Sequence, residues 1–216
     1  CGAVGAGVVD AGGDAVQGFR RGYPVAFRET SGTYASEVRV AAHNAIPRPP
    51  SVAAAAGAGI GIPVGTAYQV LRSLDVRAGD TLLLHAGSGS VGQAAIQYAV
   101  LWGATVIATA SERRFDRVRE LGAIPVVYGD GLLERVRAAA PQGVTVAFDA
   151  AGTDEALEVS CELVSDRNRI GTIVRGQDAG NNGVRAVGGR RFTPLPGTEP
   201  DGAAAPAAEI PEFRAR

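Results

Sequence analysis

The sequence predicts an α/β fold, a doubly wound parallel sheet with a smaller β-rich portion in front of it, and three observations carry that prediction. Short apolar runs alternate with amphipathic helical stretches from Thr81 to Val174, the order that builds parallel strands joined by crossover helices. The first run, Thr81 to Ala86, is mostly apolar and bounded by turn residues, as a strand covered on both faces must be. It leads directly into Gly87-Ser88-Gly89-Ser90-Val91-Gly92, a G-x-G-x-x-G turn between a strand and a helix.

Taken in order, residues 1 to about 50 carry Val-rich runs punctuated by Gly-Gly and Arg-Gly, which is strand grammar. Ser36 to Ala41 alternates as a half-buried strand, and Pro47, Pro49 and Pro50 end the region. Ser51 to Leu74 is alanine-rich and helical, interrupted by Gly57, Gly59, Gly61 and Pro63, with a second helical stretch from Val64. After the glycine turn, Val91, Ala94, Ala95, Tyr98, Ala99 and Trp102 share one helix face. Ala104 to Thr109 is a second strand, followed by a helix with Phe115, Val118 and Leu121 inward and Gly122 closing it. Ile124 to Tyr128 is a third strand, Leu132 to Ala140 a helix, and Val144 to Phe148 a fourth strand. Thr153 caps a helix with Leu157, Cys161 and Val164 inward. Arg169 to Val174 is a fifth strand, and Val184 to Val187 is a sixth strand or a loop. The tail, 190–216, holds five of the chain's 12 prolines and an Ala-Ala-Ala-Pro-Ala-Ala tract, so it is expected to lack the apolar surface needed for order.

The glycine turn is chemically specific in this setting. The first glycine is expected to turn tightly, the second to let backbone N–H groups approach a pyrophosphate, and the third to let helix pack on strand. The helix N-terminus adds partial positive charge. The second strand ends about 20 residues past Gly87, where a Rossmann unit meets the adenosine ribose. No acidic residue stands at that strand end to take a 2′-OH. The chain reads Thr109-Ala110-Ser111-Glu112-Arg113-Arg114 instead, a hydroxyl and two guanidiniums that suit a 2′-phosphate. Glu112 is expected to face solvent.

The 216 residues carry 21 basic and 22 acidic side chains, for a formal charge of −1, so no overall field favours nucleic acid or an anionic membrane. No apolar run is long enough to span a bilayer. Two cysteines make neither a disulfide framework nor a four-cysteine zinc site, which fits a cytoplasmic protein. The chain begins at Cys1 and contains no methionine, so it is expected to be a fragment.

Gly32-x-Tyr34-Ala35, Thr66-Ala67-Tyr68, His85 to Gly92, Gly122-Ala123 and Asp149-Ala150-Ala151-Gly152 together make the chain resemble the medium-chain dehydrogenase/reductases. More narrowly, it resembles their zinc-independent, NADPH-dependent quinone oxidoreductases. The resemblance implies a partial GroES-like catalytic domain over 1–65, a Rossmann NADPH-binding domain over 66–189, and a low-complexity tail over 190–216. It further implies hydride transfer from NADPH to a quinone or other α,β-unsaturated carbonyl, and homodimers formed through sheet edges. By position, Thr66 would sit near the nicotinamide. Gly87, Ser88, Gly89, Ser90, Val91 and Gly92 would hold the pyrophosphate. Ser111, Arg114 and Tyr128 would surround the 2′-phosphate, Arg114 standing where the family has lysine. Ala150, Ala151, Gly152, Ile173 and Val174 would line the nicotinamide end. On this resemblance the family's N-terminal strands would fall before Cys1, so no catalytic residue is assigned. A truncated, inactive nucleotide-binding fragment is the alternative.

The remaining candidates read as structure. His85 is expected to be a core histidine, Cys161 a small core residue, Tyr34 the ring of a barrel strand in preference to a cleft residue, and Asp149 a cap on the turn that follows it. His43 has no nearby ligand partners, and no Cys/His set has the spacing of a zinc site.

Overall fold

The computed structural model describes residues 2–187 and the backbone of Glu212–Ala215. These divide into two compact units, with the boundary at Gly65.

The first unit is an antiparallel sheet of five strands. These are β1 (Val4–Gly12), β2 (Pro24–Arg28), β3 (Val38–Ala41), β4 (Ala45–Pro47) and β11 (Glu212–Ala215), in the order β3-β11-β1-β2-β4. Val9, Val25, Phe27, Val40 and Ala45 form its core. Of the tail expected to lack order, these four residues of β11 pair with both β1 and β3; the rest lies outside the described residues. Tyr34 is not a strand residue: it sits in a bend and is 90% exposed. Helix α1 (Ala54–Gly59) runs into a π-helical turn, Ile60–Val64, before α2 (Gly65–Ser73) begins. Pro63 lies inside that turn, and its missing N–H is the physical reason a regular α-helix does not continue through it.

The second unit is a parallel sheet of six strands. They are β5 (Thr81–His85), β6 (Thr105–Ala110), β7 (Ile124–Val127), β8 (Val146–Asp149), β9 (Ile170–Thr172) and β10 (Arg185–Ala186). Their order is β10-β9-β8-β5-β6-β7. The intervening helices are α3 (Ser90–Leu101), α4 (Phe115–Glu120), α5 (Leu132–Ala139) and α6 (Asp154–Leu163). The chain builds outward from β5 through β6 to β7, then returns to lay β8 on the other side of β5. That reversal is the switch point of a doubly wound sheet, where ligands bind beyond the strands' carboxyl ends. The fold class expected from the sequence is the one observed.

All five residues of β5 are buried. Leu82, Leu83 and Leu84 are each fully inaccessible, and each contributes about 1.5–3 kcal/mol through removal of its side chain from water. Boundaries differ from the sequence reading by one to three residues, and Val184 to Val187 resolves as the short edge strand β10. On α3 the buried face includes Ile96, while Tyr98 and Trp102 are half-buried beside Tyr68. Cys161 is partly buried against the core.

At the amino ends of the strands, Asp80 accepts hydrogen bonds from Arg169 Nη2 (2.8 Å), the Arg77 N–H (2.9 Å) and the Thr145 hydroxyl (2.8 Å). Burial works to raise the Asp80 pKa, but the Arg169 hydrogen bond and charge, with the other two donors, hold it below the ordinary aspartate value. The opposite, carboxyl ends carry the glycine-rich turn after β5 and the turns after β6, β8 and β9. No helix among the described residues is long and apolar enough to cross a membrane.

Candidate functional site

The turn after β5 is built differently from its expected division of labour. The tight left-handed step is taken by Ala86, at φ 60°, rather than by Gly87. Its N–H is held by Thr109 Oγ1 at 3.0 Å, and the Gly87 N–H by the Thr109 carbonyl at 2.8 Å. Gly87 is required for a different reason. A Cβ there would lie 2.6 Å from the Ala108 methyl on β6, so its missing side chain lets the loop close on the neighbouring strand. Gly92 packs α3 on the loop itself, since a Cβ there would meet the Ala86 carbonyl oxygen and lie 2.7 Å from Gly87 Cα.

Gly89 is the N-cap of α3 and offers no side-chain cap. Ser90, Val91 and Gly92 occupy the first turn, where N–H groups lack acceptors within the helix; the Gln93 N–H is the first to be bonded, to Gly89 at 2.8 Å. An anion placed before this helix would meet those donors and the positive end of its dipole.

A cavity of about 420 Å³ lies in front of that helix end, at the carboxyl ends of β5 and β6. Of the residues expected at a dinucleotide site, Ser88, Gly89, Ser111, Arg114, Tyr128 and Ala151 line it. So does Arg113, while Glu112 is exposed and outside the lining. Among the described residues neither Arg113 nor Arg114 is engaged in a side-chain ion pair, so both guanidiniums are available to a ligand. His85, Ala86, Thr109, Ala110, Thr153 and Glu155 complete the wall. Glu155 is fixed there by accepting the Gly129 N–H at 3.0 Å, and Thr153 caps α6 by accepting the Ala156 N–H at 3.2 Å.

A second cavity, about 510 Å³, is lined by Thr172 to Asp178 with Ala186 and Val187. It contains Ile173 and Val174, two more of the expected site residues. Gly152, in the turn after β8 and at φ 73°, leaves the space in which the Val174 side chain sits. Asp149 caps the turn after β8, as expected, by accepting the Ala151 and Gly152 N–H groups at 2.9 and 2.8 Å. Ala150 belongs to that turn without lining either cavity, and Thr66, in the first turn of α2, lines neither.

His85 closes the floor of the first cavity and is 1% exposed. Ser160 donates its hydroxyl to the Ala156 carbonyl at 2.7 Å and lies 3.1 Å from His85 Nε2, so the ring donates from Nε2–H. Burial pushes the imidazole pKa down to about 4, against the opposing pull of Asp149. The ring is therefore neutral at pH 7 and is a core histidine.

Residues 90–179 match the zinc-binding dehydrogenase family. Human quinone oxidoreductase is 38% identical over 115 residues, which cover 52% of this chain and 35% of that protein. The quinone oxidoreductase of Coxiella burnetii superposes with a TM-score of 0.74 at 26% identity, covering 88% of this chain and 63% of that one. The Escherichia coli quinone oxidoreductase, solved in complex with NADPH, superposes with a TM-score of 0.73 at 25% identity, covering 88% and 58%. The chain thus spans about a third of its human relative and about three fifths of the two solved chains.

Proposed function

We propose that this chain, which belongs to the medium-chain dehydrogenase/reductase superfamily and is quinone oxidoreductase-like, binds NADPH in the second unit and serves an oxidoreductase that reduces a quinone or α,β-unsaturated carbonyl. The observation that carries the reading is the meeting, in one cavity, of an uncapped helix N-terminus with Ser111, Arg113, Arg114 and Tyr128. A pyrophosphate would take the N–H groups of the first α3 turn, and a 2′-phosphate the guanidiniums. Hydride supply is the chemistry such a cofactor brings, and the protein contributes alignment. Solved relatives complexed with NADPH support the same choice.

The reading leaves zinc out. His85 is committed to Ser160, and no group of three His, Cys, Asp or Glu side chains forms a ligand set among the described residues. It also takes the protein to be cytoplasmic, to act on a small molecule rather than nucleic acid, and to pair with a second copy through sheet edges. The test is isothermal titration with NADPH and NADH, alongside NADPH absorbance in the presence of a quinone. NADPH binding with oxidation is expected; binding without oxidation identifies the chain as an inactive nucleotide-binding fragment, and tighter NADH binding overturns the cofactor assignment.

A further inference from the structure

The loops after β8 and β9 are joined by hydrogen bonds that the sequence does not advertise. Asp149 ends β8 and Thr172 ends β9, and both are completely buried. The Thr172 hydroxyl donates to Asp149 Oδ2 at 2.8 Å. Thr172 Oγ1 in turn accepts the Val174 and Arg175 N–H groups at 3.2 and 3.1 Å. Asp149 Oδ1 holds Ala151 and Gly152 from its other side, and the Asp149 carbonyl accepts the Ile173 N–H at 3.1 Å. Two side chains thereby fix the backbone of both turns. A shift of one turn must carry the other, because Val174 fills the space beside Gly152.

The position of these turns gives the arrangement a use. The strands run β6-β5-β8-β9 across the sheet. A dinucleotide with its 2′-phosphate at the end of β6 and its pyrophosphate after β5 must extend its other half toward β8 and β9. With strands about 4.8 Å apart, β9 lies about 14 Å from β6, within reach of such an extended ligand. We propose that Asp149 and Thr172 are paired positioning residues, whose buried hydrogen bonds lock the turn after β8 to the turn after β9 and so fix the surface against which the nicotinamide half lies. This rests on the NADPH reading above. Neither residue touches the reacting atoms; both act through Gly152 and Val174.

The test compares two ligands on the full chain, NADPH and 2′,5′-ADP, the latter carrying the 2′-phosphate end without the nicotinamide. Thr172→Val, which keeps the shape and removes the hydroxyl, should weaken NADPH binding roughly tenfold, as expected for loss of a buried hydrogen-bonding hub. Affinity for 2′,5′-ADP should stay within about twofold, and Thr172→Ser should restore most of the NADPH affinity. Unchanged NADPH affinity in Thr172→Val, or equal losses for both ligands, overturns the proposal. If Thr172→Val does not fold, Gly152→Ala makes the same comparison by disturbing the joint without removing a hydrogen bond. There too a selective NADPH loss supports the proposal, and equal or absent losses overturn it.

Amide hydrogen exchange on the ligand-free chain separates this proposal from the cofactor reading. Thr172→Val should speed exchange at Ala151 and Gly152 as well as at Val174 and Arg175. Faster exchange at Val174 and Arg175 alone overturns the coupling, whether or not the wild-type chain binds NADPH.

Discussion

The carbonyl oxygen of Ala86 occupies the space that a side chain on Gly92 would need. The left-handed step at Ala86 and the bare Cα at Gly92 are therefore one feature, because the loop closes only if both are present. Gly92→Ala should lower stability by about 1–3 kcal/mol through overpacking against fixed backbone, and it should weaken NADPH binding by displacing the first turn of α3. At Gly89 the nearest atom to an added Cβ is 3.3 Å away, so Gly89→Ala should cost less than about 1 kcal/mol. Urea unfolding of the two variants checks the contrast; equal losses would count against this account of the loop.

Arg114→Ala should weaken NADPH binding about tenfold and leave NADH binding almost unchanged. A hydrogen bond to a charged group contributes about 1.5–3 kcal/mol, and each 1.4 kcal/mol is tenfold in affinity. Because the guanidinium is exposed, the low end of that range applies, and the preference should shrink as salt rises. Arg113 lines the same wall, so Arg113→Ala should deepen the loss when combined with Arg114→Ala. Titration of both cofactors decides, and similar losses for NADPH and NADH would remove this loop from the 2′-phosphate.

His85 makes stability depend on pH. Its pKa is about 4 in the folded chain and about 6.5 when unfolded, so between those values the unfolded state holds more protons. The stabilisation is complete above about pH 6.5 and is lost as pH falls toward 4, amounting to about 2 kcal/mol at pH 5. Urea midpoints at pH 7.5 and 5 should separate accordingly, and His85→Gln should narrow the gap. A gap that is the same in the variant would assign the pH response elsewhere.

Arg169→Ala should destabilise the second unit by about 2–4 kcal/mol, because it leaves the buried Asp80 carboxylate without its cation. Combined with Asp80→Asn, the loss should be clearly less than additive, since the variants share one interaction. Additive losses in a double-mutant cycle would show that the pair contributes no coupling.

Part of the cavity lining was legible locally. The glycine turn, Ser111 and Arg114 follow β5 and β6 within a few residues of each strand end, where motif and spacing point, while Tyr128 and Ala151, which line the same cavity, were expected from the family resemblance. Glu155 was missed because it reaches the cavity only after β8 returns to the far side of β5 and α6 approaches Gly129, a consequence of topology that no short motif carries. His85 was recognised as a core residue but not as a wall of the cavity. The tight turn expected of the first glycine falls one residue earlier, because Thr109 holds Ala86 at positive φ from the adjacent strand. Ile173 and Val174 line a separate cavity from the one that holds Ser111 and Arg114.

The same return of the chain has a kinetic side. Leu82 pairs with Val106 on one flank and with Val146 on the other. The second pairing encloses a longer stretch of chain, and its extra closure entropy is about 1 kcal/mol. Contacts that close shorter loops tend to form first, so β5, α3 and β6 should assemble ahead of β8 and β9. The half of the sheet that carries the glycine turn would then form before the half that carries the turns after β8 and β9. Pulse-labelled hydrogen exchange should show amides of β5 and β6 protected earlier than those of β8 and β9, and simultaneous protection would mean that the sheet closes in a single step.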